Sequence, residues 1–240
     1  MSVMMAVKVG EDIAVASDSL WINPLWDALK APRKKWEIRG SGSSTVAVAT
    51  SVTSGQDLLI YETVEAAIRE AGKDWPAIWA AECSSQVFRD RRDVYFSKDS
   101  ALRVLVVWDG RLWDASLDGT SIEAGRGFLA ISSGEAHASG AAQALLAANP
   151  DMTAREVAVR AVAATIEACA MCAGPIHCDV IGRKGRRNAP ETFDISEWQE
   201  MLVAEAAKRA EMARPKPPAE SKSGGSGQPP RRMDGPPRGV

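Results

Sequence analysis

Ser2-Val3-Met4-Met5-Ala6-Val7-Lys8-Val9, then Gly10-Glu11-Asp12, then Ile13-Ala14-Val15-Ala16-Ser17-Asp18: this opening stretch decides how the rest of the chain is read. Two apolar, partly β-branched runs flank a short turn, which is the pattern of a β-hairpin. Ser follows Met1, and an initiator Met ahead of so small a residue is commonly trimmed. Its removal leaves Ser2 with a hydroxyl and a free α-amine at the tip of a strand, a nucleophile and a base on one residue.

Four short strands are expected within the first fifty residues. After the hairpin, Ser19 to Arg33 contains Asn23-Pro24 and Ala31-Pro32 without a clean period and reads as a long loop. Lys34 to Arg39 and Thr45 to Ala49, joined by Gly40-Ser41-Gly42-Ser43, read as a second hairpin. Helical spacing then predicts one helix from Gln56 to Ala71, ended by Gly72, and a second from Trp75-Pro76 towards Arg92. Ala101 to Trp108 and Arg111 to Trp113 flank Asp109-Gly110, the favoured two-residue hairpin turn. A strand from Gly127 to Ile131 runs into Ser132-Ser133-Gly134 and an alanine-rich helix that ends near Asn149-Pro150. Asp151 or Thr153 caps a longer helix from Ala154 to about Ala173, and Ile176 to Ile181 is the last strand. Segregated runs of strands and helices favour an α+β fold with sheets packed on each other and helices outside.

Composition narrows the function. The chain has 240 residues with 45% hydrophobic and 25% charged content, and its net charge of -2 gives no bulk attraction to nucleic acid or to an anionic membrane. It carries neither a run of eighteen apolar residues nor a basic and then apolar N-terminus, so a cytoplasmic protein without a membrane span is expected. Four cysteines do not make a disulfide framework at this length. Only two histidines, His137 and His177, leave little room for Ser-His-Asp or Cys-His machinery. Cys169-Ala170-Met171-Cys172 with His177-Cys178 has zinc-like spacing. However, the pair falls in a predicted helix, and neighbouring strand residues point to opposite faces, so no metal is assigned.

The domain is expected to span residues 2–182. Residues 183–193, with Arg183-Lys184-Gly185-Arg186-Arg187, read as a basic linker. Residues 194–213 read as an amphipathic helix with Ile195, Trp198, Met201, Leu202, Ala206 and Ala210 on one side. Residues 214–240 are Pro, Gly, Ser and charge, and read as disordered.

The N-terminal hairpin, the lysine after the long loop and the Ser132-Ser133-Gly134 turn together resemble the proteasome β-type subunits, and among them the HslV peptidase subunit of the bacterial two-component protease. The resemblance covers Ser2 to Gly182 and implies a four-layer αββα sandwich, the N-terminal-nucleophile hydrolase fold. Residue by residue it places Ser2 on the family's nucleophilic threonine, Asp18 on its aspartate, Lys34 on its lysine and Ser133 on its serine. The oxyanion amide would come from about Val48. The sequence departs from the family in having Ser for Thr and in reading Val46-Ala47-Val48-Ala49-Thr50-Ser51 where a glycine-rich stretch is usual.

What the resemblance implies is an endopeptidase in a homo-oligomeric ring or double ring, acting on polypeptide and served by a separate ATPase unfoldase. No GxxxxGK[ST] loop occurs, so ATP dependence belongs to that partner, and no cofactor is implied. In this scheme the α-amine accepts the Ser2 proton, and Lys34 favours the alkoxide while Asp18 holds its ammonium. Ser133 and its turn hydrogen-bond the amine. Two other readings stay open: a catalytically inactive shell or scaffold of the same fold, which the residues crowding the glycine-poor stretch favour, and an amidase acting on a small amide.

Overall fold

The first hairpin forms where two apolar runs flank a short turn. β1 (Met4–Val9) pairs antiparallel with β2 (Asp12–Ser17), with Met4 opposite Ser17 and Val9 opposite Asp12. The computed structural model describes residues 2–22, 28–30, 35–40, 45–50, 57–95, 102–182 and 191–195, and single positions 200, 203, 204 and 208. The chain divides into Met1–Glu200 and Met201–Val240. In the second unit positions 203, 204 and 208 are helical. The expected helix over 194–213 and the tail after it lie mostly outside the described residues.

The elements that follow are β3 (Leu20–Ile22), β4 (Ala28–Lys30), β5 (Trp36–Arg39) and β6 (Val46–Thr50). Next come α1 (Asp57–Ala71), α2 (Trp75–Ser84), α3 (Gln86–Tyr95), β7 (Arg103–Trp108), β8 (Arg111–Ser116), β9 (Ser121–Glu123) and β10 (Phe128–Ile131). The unit ends with α4 (Glu135–Ala148), α5 (Ala154–Ala168), β11 (Ile176–Ile181) and β12 (Glu191–Phe193). Two five-stranded sheets result, ordered β10-β1-β2-β11-β12 and β5-β6-β7-β8-β9, and all their pairs are antiparallel.

The period-2 pattern explains how the layers stack. On the face between the sheets, Met4, Ala6, Ile13 and Val15 meet Trp36, Ala47, Ala49, Leu105 and Val107 in one core. On the outer face of the second sheet, Val46, Val48, Val104 and Val106 pack against Leu59, Ile60, Val64, Trp75 and Trp79 of the helices. α5 covers β1, β2 and β11 of the first sheet and packs on α4. The architecture is therefore α+β, with helices, two sheets and helices in four layers. No described helix is long and apolar enough to cross a membrane.

Several local expectations change for identifiable reasons. The stretch read as a loop after Asp18 contains the two-stranded ribbon β3-β4, with Trp21 opposite Leu29. The single helix expected from Trp75 to Arg92 is broken at Ser85, whose backbone is extended at φ -68 and ψ 146. Ser85 Oγ accepts the Phe88 N–H at 3.1 Å, so a serine cap starts α3 where an apolar pattern continues. α5 stops at Ala168, which leaves Cys169-Ala170-Met171-Cys172 beyond the helix in a turn closed by Cys172 N–H donating to Cys169 O at 3.0 Å. Its start follows the sequence, with a Thr153/Glu156 capping box. The segment expected as a linker ends in β12, an added edge strand on β11 that is also held by an Arg155–Glu191 ion pair.

Candidate active site

Hairpin register brings the first two residues of interest together. Pairing of Met4 with Ser17 puts Val3 opposite Asp18 at one end of the first sheet. The ladder continues there: Asp18 N–H donates to Val3 O at 3.3 Å, and Val3 N–H donates to Asp18 Oδ1 at 2.9 Å. Ser2 Oγ–H donates to the same Oδ1 at 2.8 Å. From the other sheet, just before β5, Lys35 Nζ donates to Asp18 Oδ1 at 2.7 Å and also to Ser2 Oγ. Hydroxyl, carboxylate and ammonium thus meet in one cluster, with Ser2 3%, Asp18 0% and Lys35 6% exposed.

The second carboxylate oxygen is tied to the turn that follows α5. Ala173 N–H donates to Asp18 Oδ2 at 3.2 Å, and Ser19 N–H returns a bond to Ala173 O at 3.0 Å. Ser17 Oγ–H donates to Asp18 O at 2.9 Å. Asp18 is held from three sides, which fixes the oxygen that Ser2 and Lys35 share.

Burial lowers the Lys35 pKa from its ordinary value, against the opposing pull of the Asp18 charge and hydrogen bond. The neutral amine is therefore more accessible than in an exposed lysine, so this group can both stabilise an alkoxide and take a proton. Beside it, burial first and then the Asp18 charge push the Cys172 thiol up, which keeps it protonated.

Not every expected residue sits where the sequence suggested. Lys34 lies outside the described residues, and the ammonium in the cluster belongs to its neighbour Lys35. The resemblance set the family's lysine on Lys34 within Arg33-Lys34-Lys35, one residue before the lysine that reaches the cluster. Ser133 is exposed, and its turn reaches Ser2 through backbone, with Gly134 N–H donating to Ser2 O at 3.0 Å. Val48 lies mid-strand between Glu37 and Val106. Thr50 N–H donates to Lys35 O at 3.3 Å, and antiparallel alternation then directs the Val48 N–H to Glu37, so the ladder occupies the amide expected to face an oxyanion. Sequence reading missed the roles of Ser19 and Ala173, which act through main-chain N–H groups that no side-chain pattern signals, and of Ser17, whose hydroxyl bonds the Asp18 carbonyl.

The turn at the end of β10 has one residue chosen by space and one under strain. A Cβ on Gly134 would lie 2.6 Å from Thr165 Cγ2, 2.8 Å from Val3 Cβ and 3.1 Å from Cys172 Sγ. Gly134→Ala is expected to destabilise the fold by about 1–3 kcal/mol, read as a lower urea midpoint with an unchanged slope. Ser132, by contrast, holds φ 81, a left-handed value that disfavours side chains. Ser132→Gly relieves that strain and is expected to raise stability by about 1 kcal/mol in the same assay.

Eukaryotic HslV from Trypanosoma brucei superposes with a TM-score of 0.63 at 15% identity, over 75% of this chain and 99% of that one. An Anbu (Gly-1) mutant from Hyphomicrobium sp. strain MC1 gives 0.59 at 13% identity, over 88% and 100%. BPH from Thiobacillus denitrificans, in complex with Epoxomicin, gives 0.56 at 20% identity, over 75% and 98%. No family model matches the sequence, and no curated protein matches it. At these identities the likeness is one of fold: the chain folds as HslV and BPH do across nearly their whole length.

Proposed function

We propose that this chain is a proteasome-like, HslV-like peptidase that cleaves peptide bonds with Ser2 as an N-terminal nucleophile. The observation that carries the reading is the contact of Ser2 Oγ with both Asp18 Oδ1 and Lys35 Nζ, in a fold shared with HslV and BPH. While Met1 is attached, the Ser2 nitrogen is an amide and no base, so the reading requires release of whatever precedes Ser2.

In acylation, Ser2 Oγ attacks the substrate carbonyl carbon, and its proton passes to Lys35 Nζ or to the freed α-amine. The C–N bond then breaks as the leaving amine takes that proton, which leaves an ester on Ser2. Water attacks the ester with the α-amine as base and regenerates the hydroxyl. Asp18 keeps Lys35 and the hydroxyl in register and balances the ammonium charge. Ser133 and its turn would orient the freed amine. We further propose a homo-oligomeric ring or double ring that takes polypeptide from a separate ATPase unfoldase, by analogy with the family the sequence resembles.

A non-catalytic shell of the same fold is the second reading, and one observation favours it: the strand pairing occupies the Val48 amide, where an oxyanion donor was expected. Incubation of the purified protein with an unfolded polypeptide and with a fluorogenic peptidyl amide separates the readings. Cleavage at internal peptide bonds is expected. Hydrolysis of small amides alone would replace the peptidase with an amidase, and an assembled particle that cleaves neither would be a shell.

A further inference from the structure

The active-site lysine belongs to one sheet and its targets to the other. Lys35 O accepts the Thr50 N–H of β6 at 3.3 Å and the Tyr61 hydroxyl of α1 at 3.5 Å, so its main chain is anchored on the second sheet. Ser2 and Asp18 extend from β1 and β2 of the first sheet. The apolar contacts between the sheets are non-directional and set no register to a few tenths of an ångström. A hydrogen bond does.

Such a bond lies one residue from Lys35. Trp36 Nε1–H donates to Asp179 Oδ2 at 2.7 Å, with Trp36 5% and Asp179 1% exposed. Asp179 sits on β11 opposite Val15, on the strand face that also carries Ile181, where the inter-sheet core is otherwise built from Ile13, Val15 and their apolar neighbours. A carboxylate is an expensive residue to bury there unless its direction matters. β11 also pairs His177 with Ser17, the residue before Asp18. One strand therefore flanks the aspartate of the site and grips the residue next to its lysine.

We propose that the buried Trp36–Asp179 hydrogen bond is a cross-sheet latch that sets Lys35 against Ser2 and Asp18, which makes Asp179 a positioning residue. The inference rests on the Ser2–Lys35 reading given above. Losing the latch leaves the nucleophile in place and moves the lysine, so the rate of bond formation falls more than substrate binding does. Displacements of about 1 Å at reacting groups are enough to cost one to two orders of magnitude.

The test measures the rate at which epoxomicin forms an adduct on Ser2, by intact mass, alongside kcat and KM on a peptidyl amide. Circular dichroism establishes that each variant is folded. Trp36→Phe and Asp179→Leu are expected to slow adduct formation by about tenfold or more. kcat should fall while KM holds. Asp179→Asn keeps an oxygen for the indole N–H and is expected to stay within about threefold of the parent. The Trp36→Phe/Asp179→Leu double variant should be no slower than the slower single one. If Asp179→Leu fails to fold, Trp36→Phe, which keeps most of the ring, carries the test. A parent protein that is labelled while folded Trp36→Phe reacts at the parent rate overturns the latch alone, as does Asp179→Asn slowed as much as Asp179→Leu. A parent protein that is never labelled overturns both the latch and the nucleophile reading.

Discussion

Ser2→Ala is expected to lower peptide-bond hydrolysis by about three to four orders of magnitude, because no other group in the cluster can form the acyl intermediate. Both the Asp18 carboxylate and the Lys35 amine address the hydroxyl. Removing it leaves binding surfaces intact, so KM should change little while kcat collapses. Fold stability should move far less than activity. Deleting the hydroxyl takes one partner from Asp18 Oδ1, which still accepts from Val3 N–H and Lys35 Nζ. Ser2→Thr adds one methyl group and keeps the hydroxyl, so it should retain activity. A Ser2→Ala preparation as active as the parent, free of contaminating peptidase, would end the mechanism.

The second large effect distinguishes two adjacent lysines. Lys35→Ala is expected to reduce acylation by about two to three orders of magnitude, whereas Lys34→Ala should stay within about threefold of the parent. The difference follows from Lys35 Nζ being the cation against both Ser2 and Asp18. Lys35→Ala has a structural consequence as well: Asp18 is fully buried and loses the Lys35 charge beside it, which costs about 3–5 kcal/mol where a buried pair is broken from one side. Lys35→Met fills the same channel with an uncharged chain and serves as the companion variant. Activity measured below the unfolding midpoint of each variant separates chemistry from stability. Equal losses for Lys34→Ala and Lys35→Ala would contradict the assignment.

Much of this was legible in the sequence, and the gaps have physical causes. Two apolar runs around a short turn in residues 3 to 17, and an Asp-Gly turn at residues 109 and 110, left little choice but hairpins. Asp109 and Gly110 do adopt the two positive φ values, 49 and 70, that this turn needs. The family resemblance placed Asp18 beside Ser2, and the hairpin register accounts for it, since Met4 opposite Ser17 sets Val3, the residue after Ser2, against Asp18. Lys35 was not readable in this way. It reaches the site from the second sheet, and nothing local distinguishes it from Lys34. The break at Ser85 was hidden because apolar spacing continues through it while one serine hydroxyl captures an amide. The end of α5 was hidden for the opposite reason, since Cys169-Ala170-Met171-Cys172 is apolar enough to prolong a helical pattern that the backbone abandons at Ala168. β3, β4, β9 and β12 are three residues each, too short for alternation to register against background.

Epoxomicin, the molecule held in the Thiobacillus denitrificans BPH structure, provides the most direct measurement. Its ketone and epoxide carbons can be attacked together by a hydroxyl and an amine on one residue, so a stable adduct requires Ser2 to be both present and N-terminal. The intact mass of the purified protein, with and without epoxomicin, should show loss of Met1 and one adduct per chain, mapped to Ser2 and absent in Ser2→Ala. A chain that keeps Met1 and takes up no epoxomicin would contradict the account and leave a proteasome-fold shell in place of a peptidase.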